Sequence, residues 1–327
     1  MDRVLSGMQP SGYLHLGNLM GALKNWVSLQ DGYDCYYFVA DWHALTTNYT
    51  NPSIIKEYTY DLVLNFLAAG LDPGKCTIFI QSRILEHAEL HILLSMITPL
   101  GWLERVPSYK EKKEEIKDRD MGTYGFLGYP VLQSADILMY TAKYVPVGID
   151  QVPHLEITRE IARRFNHLYK KEVLTEPEPL LTESPKITGL DGRKMSKSYD
   201  NAIYLNDAPE VVERKILTMV TDTQRIRRTD PGDPEKSPVY QLHKAFSSEA
   251  ELKEVAEGCR TAAIGCKECK RILIKNVFDV LEPIWEKRRA LEDNPHQLRE
   301  ALDSGIERAT KVARETMALV RDTLGMS

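Results

Sequence analysis

The apolar positions of the first third of the chain fall into two alternating patterns. Short continuous runs, beginning at Val4-Leu5, at Tyr36-Tyr37-Phe38-Val39-Ala40 and at Thr77 through Ile80, read as buried strands. Between them Leu16, Leu19, Met20, Leu23, Trp26 and Val27 recur at helical spacing. So do Ile54, Ile55, Tyr58, Leu62, Phe66 and Leu67, behind Pro52, whose missing amide suits a helix start. Met8 to Tyr13 is a loop of Gly, Pro and Ser. Strands separated by crossover helices predict a parallel sheet whose ligands lie at the carboxyl ends of its strands.

From about Leu90 the pattern turns helical. The dense mixed charge between Tyr109 and Asp120 reads as a solvated helix or loop, Val145-Pro146-Val147-Gly148 as a return to strand, and Ile157, Ile161, Phe165 and Leu168 as one face of another helix. Thr175 to Arg193, rich in Pro, Gly and Thr, reads as a linker or mobile loop. After Tyr204 the pattern is helical to the end, the last helix carrying Leu298, Leu302, Ile306, Val312, Leu319 and Val320, and no internal repeat is visible.

Length and charge narrow the function. A chain of 327 residues suits two lobes with sizeable cores. A net charge of −5 argues against broad, non-specific nucleic-acid binding, though a local basic stripe gripping one RNA remains compatible. No apolar run approaches the ~20 residues that span a bilayer, and the first seven residues lack a signal-peptide layout. Five unevenly spaced cysteines do not form a disulfide framework, which points to a reducing cytoplasm.

Two separated motifs carry the chemistry. The first is Ser6-Gly7-Met8-Gln9-Pro10-Ser11-Gly12, followed by His15-Leu16-Gly17-Asn18. A glycine-rich turn feeding a helix start presents free amides and the positive end of a dipole to an anion. Gly17 lets a ring or ribose approach the backbone, while His15 and Asn18 are placed to donate to phosphate oxygens. An ordinary strand-to-helix turn is the competing reading. The second motif is Lys194-Met195-Ser196-Lys197-Ser198 behind Asp191-Gly192-Arg193. Two ammonium groups three residues apart suit a pyrophosphate that gains charge as it leaves, and a mobile loop would close on it late. Alone, such a loop is more often solvated surface.

Together the motifs resemble class I aminoacyl-tRNA synthetases. His15-Leu16-Gly17-Asn18 resembles their first signature, and Lys194 to Ser198 matches the second letter for letter. The Gly-Met-Gln-Pro-Ser-Gly loop is similar to the tryptophanyl branch, as are Asp41-Trp42-His43-Ala44, Tyr129-Pro130 through Ala135-Asp136-Ile137-Leu138, and Val145 to Gly148. The likeness runs from about Leu5 to about Thr316. It implies an α/β fold: a Rossmann-like parallel sheet with helices on both faces plus a helical C-terminal domain. Residues 1–198 would be catalytic, with a helical insertion at about 100–140 forming a homodimer interface and a mobile signature loop at 190–200. Residues 199–327 would bind the anticodon of tRNA(Trp), the last helix placed to pack back on the catalytic domain.

Carried over by position, the resemblance implies that Gln9, Pro10, Ser11, His15, Gly17 and Asn18 hold ATP, with Mg²⁺ riding on its phosphates and Lys110 gripping them. Lys194 and Lys197, with Met195, Ser196 and Ser198, would stabilise the transition state at the α-phosphate. Gly148 and Asp150 would contact ribose, and Gln151 would place the amino acid. Gly7, His43, Tyr129, Gln133, Ile137, Val145 and Val147 would wall an L-tryptophan slot, and Asp136 would accept the indole N–H. An indole nitrogen only donates and an ionised carboxylate only accepts. Phenylalanine would leave that buried carboxylate unpaired at a cost of ~1–3 kcal/mol. A helix N-cap after Ser134 is the competing reading for Asp136.

Some positions depart from the family pattern: Gln133 stands where some bacterial members have Met, Ile149 where many have an acid, and Leu5 where an aromatic is frequent. Cys259, Cys266 and Cys269 resemble an iron–sulfur signature of some bacterial members, but Ser237 occupies the place of the fourth cysteine before Pro238-Val239. Three thiolates would suffice for zinc with one outside ligand, or for a cluster with one non-cysteine ligand; reduced cysteines in a vestigial loop are the alternative. Arg225 to Arg228 reads as a tRNA-phosphate track or a solvated turn. His87, His91, His154 and His243 read as structural or surface, and Leu127, Val131 and Leu132 as an apolar dimer surface. The rival functions are tyrosyl-tRNA synthetase and a non-ligating nucleotidyltransferase of the same superfamily.

Overall fold

A computed structural model describes residues 1–106, 109, 120–181, 187–222, 225 and 227–326; of Asp150 it describes the backbone alone. Five strands form one parallel sheet: β1 (Arg3–Met8), β2 (Asp34–Val39), β3 (Cys76–Ile80), β4 (Tyr144–Val147) and β5 (Glu178–Leu181), ordered β3-β2-β1-β4-β5. The direction of winding reverses between β1 and β4, and a crevice opens at such a switch point.

Each central strand is buried on both faces, so its alternating residues enter two different cores. Val4, Tyr37, Val39 and Ile78 pack with Trp26, Leu62 and Phe66 on one side. Leu5, Tyr36, Phe38 and Phe79 pack with Leu90, Leu138, Ile161 and Met317 on the other. The first side is covered by α1, which runs Leu16–Asn18, Leu19–Leu23 and Lys24–Leu29, and by α3 (Ser53–Ala68). The middle run of α1 is π-helical. Between these two helices α2 (Asp41–Asn48) follows β2. The second side is covered by α4 (Glu86–Ser95), α6 (Tyr124–Met139) and α7 (Val152–Tyr169), with the short α5 (Leu100–Leu103) beside α6.

Strand β5 lies inside the stretch expected to be a linker. Pro177 and Pro179 conceal it in the sequence, because proline cannot donate to a ladder; at the sheet edge that loss is tolerated. The remainder of that stretch includes 182–186, outside the described residues.

The C-terminal third is helical, as expected: α8 (Pro209–Thr218), α9 (Pro238–Phe246), α10 (Glu249–Arg260), α11 (Cys266–Asp293) and α12 (Pro295–Leu324). α11 packs along α3, where Arg288 meets the buried Asp61 at 2.7 Å. α12 returns to the sheet edge at β3. A Cβ at Gly305 would stand 1.9 Å from the Ile78 carbonyl oxygen, so glycine is required at this crossing. Arg308 donates to the carbonyls of Pro73 and Cys76 beside it, at 2.8 and 3.0 Å. The exposed edge of the sheet is thereby covered.

Candidate active site

The first motif leaves β1 as a turn and enters α1 with His15 at its N-cap. Leu16 N–H donates to the Ile203 carbonyl at 3.0 Å and Leu205 N–H to the Leu14 carbonyl at 2.8 Å, so a distant segment is spliced to the turn. Asn18 spends its side-chain oxygen on the His15 amide at 3.1 Å, which leaves its NH₂ for a ligand. His15 is 8% exposed, and its Nδ1 is a buried atom with no partner. Burial, with the charges of Lys197 and Lys194, lowers its pKa to about 4, so the ring is neutral at physiological pH.

The second motif is a hydrogen-bonded hairpin built on Asn201, which is 2% exposed. Its amide donates to Asp191 at 2.8 Å and to the Lys194 carbonyl at 3.2 Å, and its oxygen accepts from the Ser196 amide at 2.9 Å. Met195 is buried in the first core and anchors the loop; Lys194 is exposed. The Lys197 ammonium donates to the Gly12 carbonyl at 2.8 Å. Gly12 has φ +132°, a conformation open to glycine, and a Cβ there would meet the lysine chain at 3.1 Å. Burial lowers the Lys197 pKa to about 8 against the pull of Asp61. Both signatures therefore meet, and Ser196 and Ser198 accompany the lysines on the loop.

Beside this turn a cleft of about 410 Å³ opens at the switch point. Of the residues expected to wall an amino-acid slot, Gly7, His43, Tyr129, Gln133, Asp136, Ile137, Val145, Val147 and Gln151 all line it, together with Gln9 and Gly148. Pro10, Ser11, His15, Gly17 and Asn18 lie outside its wall, on the continuation of the turn past Gln9. Gly7 gives the cleft room: a Cβ there would stand 2.5 Å from the Phe38 ring. The side chain of Asp150, and Lys110 as a whole, fall outside the described residues.

Asp136 is 2% exposed and lies in the interior of α6, which removes the N-cap reading. Gln81 Nε2 lies 2.8 Å from each of its oxygens and His87 Nδ1 2.7 Å from Oδ1. Burial pushes its carboxyl up, while His87 and Gln81 draw it down.

Sequence reasoning missed several of these contributors. His87 and His154, read as structural or surface, respectively bind Asp136 and line the cleft. Gln81 carried no signal beyond its place at the end of β3. Trp26, Asn25 and Ala22 reach the cleft from α1, near its π-helical run; such widened turns are frequent at functional sites. Leu5 also lines the cleft, where the family often has an aromatic.

Other expectations are corrected. Val131 and Leu132 are buried in the chain's own second core or beside it, not on a dimer surface. Among the described residues, the large apolar side chains exposed in this region are Leu85, Ile92, Met96, Leu100 and Tyr124. The Arg225–Arg228 segment, expected as a tRNA-phosphate track or a solvated turn, is not among these corrections: Arg225 donates to the carbonyls of Arg228 and Ile264, and the exposed Arg228 pairs with Glu268 at 3.3 Å.

The three C-terminal cysteines are free, partly buried thiols. Burial raises the pKa of Cys269 to about 12, His243 Nε2 lies 3.5 Å from its sulfur, and the Arg225 charge lies near Cys259. Among the described residues no group of three His, Cys, Asp or Glu is arranged to hold a metal ion. With Ser237 in place of a fourth thiol, these residues do not fit a cluster.

The profile of the class I tRNA synthetases (W and Y) matches residues 2–282. Tryptophan–tRNA ligase of Thermotoga maritima is 56% identical over 326 residues, covering 99% of both chains. The Ralstonia nicotianae ligase is 45% identical, covering 100% of this chain and 99% of its own. The crystal structure of tryptophanyl-tRNA synthetase from Campylobacter jejuni, complexed with ADP and tryptophan, superposes with a TM-score of 0.90 at 36% identity over 99% of each chain. A tyrosyl-tRNA synthetase from Archaeoglobus fulgidus, 24% identical with a TM-score of 0.66, shares the fold. With both signatures joined at one turn beside an acid-bearing cleft, the chain belongs to the class I tRNA synthetases of the W and Y group, in its tryptophan–tRNA ligase branch.

Proposed function

We propose that this chain activates L-tryptophan with ATP to tryptophanyl-adenylate and pyrophosphate, then transfers tryptophan to tRNA(Trp). The observation that carries the reading is the Lys197 ammonium on the Gly12 carbonyl, next to an unpartnered, buried His15 Nδ1 and the Asp136 cleft.

The indole enters between Gly7, Tyr129, Ile137, Val145 and Val147, and its N–H meets Asp136. Gln151 and His43 orient the amino acid, while Gly148 and Asp150 take the ribose. Gln9, Pro10, Ser11, Gly17, Asn18 and neutral His15 cradle ATP; Mg²⁺ arrives with its phosphates, and Lys110 adds charge there. The tryptophan carboxylate attacks the α-phosphate in line and pyrophosphate leaves. Lys194 and Lys197, with Met195, Ser196 and Ser198 setting the loop, neutralise charge on the departing phosphates. Positioning and electrostatics supply the catalysis, with no side-chain nucleophile.

Residues 199–327 form the anticodon-binding domain in this reading, and 1–198 the catalytic domain, with α12 bridging them. The exposed apolar set from Leu85 to Tyr124 is the surface proposed for the homodimer. The five free cysteines suit a reducing cytoplasm, and no described helix is long and apolar enough to cross a membrane. Amino-acid-dependent ATP–pyrophosphate exchange tests the assignment. Exchange with tryptophan and charging of tRNA(Trp) are expected; exchange with tyrosine instead, or adenylyl transfer with no charging of any tRNA, would overturn it.

A further inference from the structure

Behind the cleft lies a buried chain of polar groups that the reaction does not touch. Gln81, His87 and Tyr140 are each 0% exposed. Their hydrogen-bond directions follow from the ends. Gln81 Oε1 accepts the His43 backbone N–H at 3.2 Å, which turns its NH₂ toward both oxygens of Asp136. An ionised Asp136 only accepts, so His87 Nδ1 carries a proton and donates it. On its other side His87 Nε2 faces the Tyr140 hydroxyl at 2.8 Å; burial raises the Tyr140 pKa well above its usual range, so the hydroxyl keeps its proton and can donate to the ring. The chain of contacts runs from Tyr140 through His87 to Asp136.

A carboxylate offers about four lone-pair sites, and these contacts occupy three. Among the described residues one acceptor position is left for the cleft, whose wall Asp136 joins. We infer that His87, backed by Tyr140, is a positioning residue for substrate choice: with Gln81 it holds Asp136 as a one-vacancy acceptor that selects a ring N–H. This deepens the tryptophan reading and rests on it. Without the His87 donor, buried Asp136 gains by taking a proton, and a protonated carboxyl turns its O–H to any nearby acceptor. The cleft then loses its demand for a donor while keeping its shape.

The test compares kcat/KM in pyrophosphate exchange for tryptophan and for β-(3-benzothienyl)alanine, in which sulfur replaces the ring N–H. The wild-type protein should prefer tryptophan by about tenfold or more, since a site built around a hydrogen bond rejects the analogue lacking it. His87→Leu should lower that ratio by about tenfold with the ATP KM unchanged within about twofold, and His87→Asn, which keeps an amide donor near the Nδ1 position, should restore it. Loss of packing alone would slow both substrates together and leave the ratio intact. Should His87→Leu fail to fold, Tyr140→Phe removes the second donor and keeps the ring, and a fall in the same ratio is expected. An unchanged ratio in a folded His87→Leu, or in Tyr140→Phe when that variant must stand in, overturns the inference. Failure of the parent reading looks different: the wild-type protein itself would not exchange with tryptophan.

Discussion

The ammonium of Lys197 donates to the carbonyl of Gly12 at 2.8 Å, across 185 positions of sequence. Neither residue is explained by its own neighbourhood: a left-handed glycine beside a half-buried cation would be a poor bargain without an anion to share. In the proposed ATP complex that carbonyl would give up the ammonium to phosphate.

Lys197→Ala should therefore slow tryptophan-dependent pyrophosphate exchange by about 10²–10³-fold, the scale seen for a lost transition-state donor. Tryptophan affinity, read by equilibrium dialysis, should stay within about twofold, because the lysine is absent from the cleft wall. Normal exchange in the variant would remove the lysine from the chemistry.

Proton loss from the same lysine predicts an alkaline limb. Burial brings its pKa down to about 8, so the charged form dominates below that value and is lost above it. kcat/KM for ATP, which reports the free enzyme, should fall as pH rises through about 8. Lys197→Arg should carry that limb out of the accessible range. His15, lowered to about 4, stays neutral across pH 5–7 and contributes no limb there.

Gly305→Ala should destabilise the fold rather than the chemistry. Its Cβ would enter the Ile78 carbonyl, and backbone cannot rotate away as a side chain does. Overpacking of this kind costs ~1–3 kcal/mol, with a matching drop in the thermal midpoint. Exchange per folded molecule should be retained. An unshifted melting curve would mean that α12 slides freely on the sheet.

Ile92→Glu with Met96→Glu should convert a dimer to a monomer in light scattering at micromolar concentration. Both side chains are more than half exposed, at 53% and 74%, so the charges cost the isolated chain little. A monomeric wild-type protein would refute the proposed surface.

The sequence was most legible where periodicity and chemistry agreed. Strands β1 to β4 are apolar runs between turn residues, and Lys194 to Ser198 with His15 to Asn18 declare themselves by spacing. Strand β5 was concealed because Pro179 lies inside it, and single-chain patterns treat proline as a breaker. His87 was invisible for another reason: its role is set by partners at positions 136 and 140, and no local pattern encodes a contact between α4 and α6. Val131 and Leu132 were misjudged because an apolar residue on an amphipathic stretch does not state whether its cover comes from its own chain. The nine residues expected to wall the slot all line one cleft, and they could be named in advance because resemblance transfers position by position, which propensity cannot do.

The splice between Leu14–Leu16 and Ile203–Leu205 joins two peptide–peptide hydrogen bonds to the first core, where Leu14, Leu16, Ile203 and Leu205 are all buried. A substitution that keeps those side chains apolar and of similar volume leaves both bonds in place, whereas proline at Leu16 or Leu205 would remove a donor. What the arrangement does constrain is the short span from Lys197 to Ile203, whose length sets the reach of the Lys197 ammonium.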